Sequence, residues 1–133
     1  LQQTGQAVPQ TVGEWVRCIF ESLALKVKYC ADYLKNTLGM PLEDAFVING
    51  GSRNTLLVQL LSDALRLPIH AGMPYATLAG NLLTQFYADG KVSSVEEMRE
   101  VAGRSFQMKE YEPQPGRDWD AALQAAVEKN VCH

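Results

Sequence analysis

From Val12 onward, apolar residues return every three or four positions: Val12, Trp15, Val16, Ile19, Phe20, Leu23, Ala24, Val27, Ala31, Leu34 and Leu38. That period lines them along one wide face of a helix. Thr11-Val12-Gly13-Glu14 opens the run as a Thr-x-x-Glu capping box, and Gly39 with Pro41 closes it. The pattern predicts one long helix whose apolar face packs against a sheet.

The period then changes. Ala45-Phe46-Val47-Ile48 is continuously apolar between Pro41 and Gly50-Gly51, which predicts a short strand buried on both faces. A helix capped by Ser52 follows, with Leu56, Leu57, Leu60, Leu61 and Leu65 on one side. Leu67-Pro68-Ile69-His70-Ala71 reads as a second strand, and the three elements together as a right-handed βαβ unit. Further helices are predicted over Thr77–Ala88, from a second capping box at Ser94-Val95-Glu96-Glu97 to about Arg104, and over Asp118–Lys129. Gly80 inside the first of these points to a close helix contact, since glycine there costs helix propensity. In the last helix Trp119, Leu123, Ala126 and Val127 face inward, and residues 109–117, with two prolines and a glycine, form a surface connection.

The predicted order is α-β-α-β-α-α-α, an α/β fold with a βαβ core and several packed helices. Residues 1–10 read as an incoming linker and 11–133 as one unit. Two strands are too few to close a sheet, and the chain opens on Leu1 rather than Met. It is therefore expected to be a piece of a larger protein.

Composition narrows the partners. The 133 residues are 47% hydrophobic and 20% charged, with a net charge of −3 and no basic stripe, so nucleic acid is not a favoured partner. No segment has the length of a membrane span. Cys18, Cys30, Cys132, His70 and His133 make no metal-ligand spacing, and three sparse cysteines fit a reduced, cytoplasmic protein.

The segment with most chemical content is Ile48-Asn49-Gly50-Gly51-Ser52-Arg53-Asn54, between the end of a strand and the start of a helix. Ligands of open α/β sheets bind at that edge. Gly50 and Gly51 let a ligand approach the backbone, while free amides at residues 52–55 and the helix dipole favour an anion or a polar ring edge. Asn49, Arg53 and Asn54 are placed to hydrogen-bond or stack on a base. The same residues also suit a tight βα turn, a helix cap and a solvated charge. No pairing of nucleophile with base is visible for Ser52, Cys18 or Cys30, so no catalytic residue is expected in this chain.

Three blocks carry a resemblance. Val16 to Lys26 is similar to the long helix of the C-terminal domain of FGGY-type carbohydrate kinases. Gly50-Gly51-Ser52-Arg53-Asn54 through Ala64 resembles the adenosine-binding motif of that family, and Ala71-Gly72 with Ala76-Thr77-Leu78-Ala79-Gly80-Asn81 resembles its next block. The wording, with Ser105-Phe106, Tyr111 and Pro113, is nearest the branch acting on L-rhamnulose; fuculose- or xylulose-type kinases and a non-catalytic binding module are the alternatives. The resemblance implies an actin-like ATPase (ribonuclease H-like) fold and a parent enzyme using ATP and Mg2+ on a sugar. It implies that Gly50, Gly51 and Asn54 lie against adenosine, and that the catalytic aspartate and most metal contacts belong to a missing N-terminal domain. Two departures stand out: Asn49 replaces a common third glycine, and Met73 and Tyr75 replace the ends of a common Pro-x-Glu. A chain parted from its first domain is also expected to expose apolar surface and self-associate.

Overall fold

A computed structural model describes Gly5 and residues 7–129; residues 1–4 and 6 of the predicted linker 1–10, and Cys132 and His133, lie outside the described residues. The elements are α1 (Val12–Thr37), β1 (Ala45–Val47), a short 3-10 helix (Asn49–Arg53), α2 (Thr55–Leu65), β2 (Ile69–Gly72), α3 (Ala76–Ala88), α4 (Val95–Ser105), β3 (Met108–Tyr111) and α5 (Trp119–Glu128).

Helix α1 begins as its sequence predicts. The Thr11 hydroxyl accepts from the Glu14 amide at 3.2 Å while the Glu14 carboxylate accepts from the Thr11 amide, satisfying two otherwise orphaned donors. At its far end Gly39 takes φ +64, a left-handed conformation that glycine adopts without a Cβ clash. The apolar face does not meet a sheet. α1 packs on α2 and α5 instead, and only Ala24 and Lys28 of it are buried. Trp15, Ile19, Leu23 and Val27 of the same face remain exposed.

The core centres on α2. Val58, Leu60, Leu61 and Ala64 are buried, together with Ala24, Ile69, Ala71, Tyr111 and Trp119. Because α2 lies between α1 and the sheet, it is apolar on more than the single side expected, and Val58 is fully buried while Leu56 is exposed. Asn54 rather than Ser52 caps α2: its Oδ1 accepts from the Leu57 amide at 3.0 Å. Asn is among the strongest residues at that position. The second capping box is half formed, because Ser94 accepts from the Glu97 amide but the Glu97 carboxylate turns to Ser93.

The sheet has three strands in the order β1-β2-β3, not two. β1 and β2 run parallel, as the βαβ reading requires, with Phe46 opposite His70. β3 overlaps the start of the predicted surface connection, 109–117, and pairs antiparallel with β2, Tyr111 facing Ile69. β1 is an edge rather than a strand buried on both faces: Phe46 is 63% exposed and stacks on His70 with ring centroids 5.0 Å apart. Gly80 makes no close packing contact; a Cβ there would meet nothing within 4 Å among the described residues. In α5, Trp119 is buried as expected, whereas Val127 is exposed.

Candidate functional site

The C-terminal ends of the parallel strands β1 and β2 deliver two loops to one place, and hydrogen bonds tie those loops together. The Asn49 amide donates to the Met73 carbonyl at 3.1 Å, and the Thr77 amide reaches Asn49 Oδ1 at 3.4 Å. Asn49 takes φ 61 and Met73 takes φ 46, so a left-handed residue stands on each side of the junction. Asparagine tolerates that region better than most side chains.

Residues 49–53 close as a 3-10 helix, and the Asn54 amide donates to the Gly51 carbonyl at 3.1 Å. The expected row of free amides over residues 52–55 is therefore shorter than the sequence implies. The Ser52 hydroxyl turns back to the Asn49 carbonyl at 2.7 Å, fastening the turn rather than the helix start. Asn54 commits its Oδ1 to the cap, and its Nδ2 makes no hydrogen bond among the described residues. Arg53 is exposed and reaches across to the other loop: its Nη2 donates to Tyr75 Oη at 2.8 Å, and its guanidinium lies 5.0 Å from the Tyr75 ring centroid.

Gly50 and Gly51 are not glycines for the chain's own sake. Neither takes a left-handed φ, a Cβ on Gly50 would meet open space, and one on Gly51 would make an ordinary 3.7 Å contact with Val47. A side chain at either position would fit the fold, so what its absence leaves open is the approach from outside. Thus Asn49, Gly50, Gly51, Ser52, Arg53 and Asn54 form one continuous edge, with Tyr75 brought to it from the second loop. Sequence reasoning missed Tyr75; only its spacing from Thr77, at the start of the neighbouring helix, could have signalled it.

The other predicted groups lie elsewhere. His70 sits beneath Phe46, with Nε2 3.6 Å from Asp44 Oδ2 at the opposite end of the strand pair from Gly72. Cys18 is half-buried and Cys30 exposed on α1. Asp63 caps a neighbouring loop: its Oδ1 accepts from the Gln114 amide at 2.8 Å. A separate cleft between α1, α2 and α5 is lined by Lys28, Asp32, Lys35, Arg66 and Asp120, and Lys28, Asp32, Arg66 and Asp120 pair among themselves. No group of three or more His, Cys, Asp or Glu among the described residues is placed to hold a metal. No helix of the described residues is long and apolar enough to cross a membrane.

A parallel β1–α2–β2 unit with an accessible turn at its C-terminal edge defines an open α/β protein of the kind that binds ligands at that edge. Residues 2–88 match the FGGY family of carbohydrate kinases, C-terminal domain, and the chain belongs to that family. Its relatives include a rhamnulokinase of Bacteroides thetaiotaomicron, 44% identical over 90% of this chain, and one of Halalkalibacterium halodurans, 36% identical over 83%. The chain spans about a quarter of the length of these curated relatives, 24% in each case. Among solved structures, the xylulose kinase from Rhodospirillum rubrum superposes with a TM-score of 0.63 at 17% identity, over 93% of this chain and 27% of that one. The fold is thus the C-terminal subdomain of the actin-like ATPase (ribonuclease H-like) class.

Proposed function

We propose that this chain supplies the adenosine side of the nucleotide cleft in an ATP-dependent rhamnulokinase, with residues 11–133 as the folded unit and 1–10 as its connection. The observation that carries the reading is the pair Gly50-Gly51, whose missing side chains serve no need of the turn itself. Gly50, Gly51 and Ser52 offer backbone to the ribose and purine edge, Asn54 offers its Nδ2, and Asn49 and Arg53 flank them. Repeated likeness to rhamnulokinases favours L-rhamnulose over fuculose or xylulose as the sugar.

In the full-length parent the 1-hydroxyl oxygen of L-rhamnulose would attack the γ-phosphorus of ATP. ADP leaves, L-rhamnulose 1-phosphate forms, and an aspartate outside this chain takes the hydroxyl proton. Mg2+, which such a transfer uses to neutralise charge on the phosphates, would be held mainly by the rest of the parent. This chain's part is positioning, which dominates phosphoryl transfer. The parent would work in the cytoplasm, where ATP and reduced thiols coexist.

Kinetics of the parent test the assignment. Gly51→Val should raise KM for ATP and leave KM for the sugar near its original value. An unchanged KM for ATP would remove Gly51 from the nucleotide site. The isolated chain should release no ADP in a sugar-dependent manner; robust release would show that the catalytic groups lie here after all.

A further inference from the structure

We infer that Tyr75, held against Arg53, forms a stacking platform for the purine ring of the nucleotide. The inference rests on the nucleotide reading above and deepens it, because the resemblance assigns no role to a tyrosine at this place. Three observations carry it. The pair bridges both loops of the site: Arg53 comes from the Gly-Gly turn, and Tyr75 stands two residues before Thr77, whose amide touches Asn49. Tyr75 is 56% exposed although it is aromatic and already anchored through its hydroxyl at 2.8 Å. Tyr75 keeps the guanidinium in place through Oη and sets its π-face beside that cation.

A planar cation beside an aromatic ring is a surface on which a base stacks with little regard to its hydrogen-bonding edge. Gly50 and Gly51 would admit the ribose, while the platform holds the base that projects beyond them. Tyr75 is in these terms a contributor to affinity and not a catalytic residue.

NMR titration of the 133-residue chain with ADP tests this, following the adenine ring protons and the Gly50 and Gly51 amides. Stacking predicts upfield shifts of the adenine protons in the unaltered chain, lost in Tyr75→Ala, with affinity falling at least about fivefold (about 1 kcal/mol, the lower end for one stacked base). Tyr75→Phe, which keeps the ring and loses only the hydroxyl, should retain the upfield shift and most of the affinity. If Tyr75→Ala binds ADP as the unaltered chain does while Gly51→Val does not, the platform is wrong and the nucleotide reading stands. If Gly51→Val also binds normally, or the unaltered chain shows no ADP-dependent shift, both fall together. Helical circular dichroism of each variant separates lost binding from lost folding.

Discussion

Lys28 of α1 and Asp120 of α5 meet at 2.7 Å, and the lysine is buried to 5% exposure at the junction of three helices. Asp32 lies 3.1 Å from the same ammonium, and Arg66 lies 2.7 Å from the other Asp120 oxygen. Burial pushes the Lys28 pKa down, but the hydrogen bonds to Asp120 and Asp32 outweigh it and hold the value above that of ordinary lysine. The hydrogen bond from Lys28 holds Asp120 below the usual aspartate value. Asp120 thus adds stability above its unfolded pKa, near 4, that is lost as pH falls through its depressed folded value. Lys28 adds stability below its unfolded pKa, near 10.4, that is lost as pH rises through its raised folded value. Asp120→Ala should cost about 1.5–3 kcal/mol at neutral pH, the range for a hydrogen bond to a charged group, and should flatten both limbs of the stability profile. Urea melts across pH measure this, and an unchanged acid limb would count against the pairing.

Gly72 stands where the backbone of a neighbouring strand leaves no room for a side chain. A Cβ there would stand 2.8 Å from the Gln107 carbonyl oxygen and 2.6 Å from Met108 Sδ, where β3 crosses β2. The sulfur can swing away, but the carbonyl is backbone. Gly72→Ala should destabilise by about 1–3 kcal/mol, whereas Gly50→Ala should leave the melting midpoint nearly unaltered.

Ser62 is fully buried in α2, with Oγ 2.9 Å from the Leu67 carbonyl and 2.8 Å from that of Tyr111. One hydroxyl carries one proton, so two carbonyls share it. Removing that donor leaves both without it, and Ser62→Ala should cost about 1–3 kcal/mol. Hydrogen exchange should show β3 amides losing protection first, because Tyr111 is where β3 is fastened.

The exposed row of Trp15, Ile19, Leu23 and Val27 on α1 should drive concentration-dependent self-association of the isolated chain. Light scattering after size exclusion is expected to show dimers or larger species. Trp15→Glu with Ile19→Glu should return them to monomer. A clean monomer of the unaltered chain at high concentration would contradict this.

Local signals were legible and distant ones were not. The Thr11 box, the α1 stop at Gly39 and the β1–turn–α2–β2 order depend on neighbours in sequence, and each could be read from the residues. β3 could not, because Lys109-Glu110-Tyr111 is mostly polar and becomes a strand only by pairing with β2. Lys28 reads as a solvated charge until α5 covers it, and the apolar face of α1 gives no hint that its partners are helices. At the candidate site the turn was visible as a motif, but its link to Tyr75 joins residues 22 apart and appears only in three dimensions.

Among the described residues β1 is hydrogen-bonded along one side alone, with Phe46 exposed beside it. An open strand edge is a template, and any extended chain of suitable sequence can continue the sheet. Produced alone, this chain would carry an aggregation hazard that neither composition nor net charge discloses. Masking the β1 edge, by Phe46→Lys or by an added neighbouring strand, would remove this hazard, which is separate from that of the α1 face.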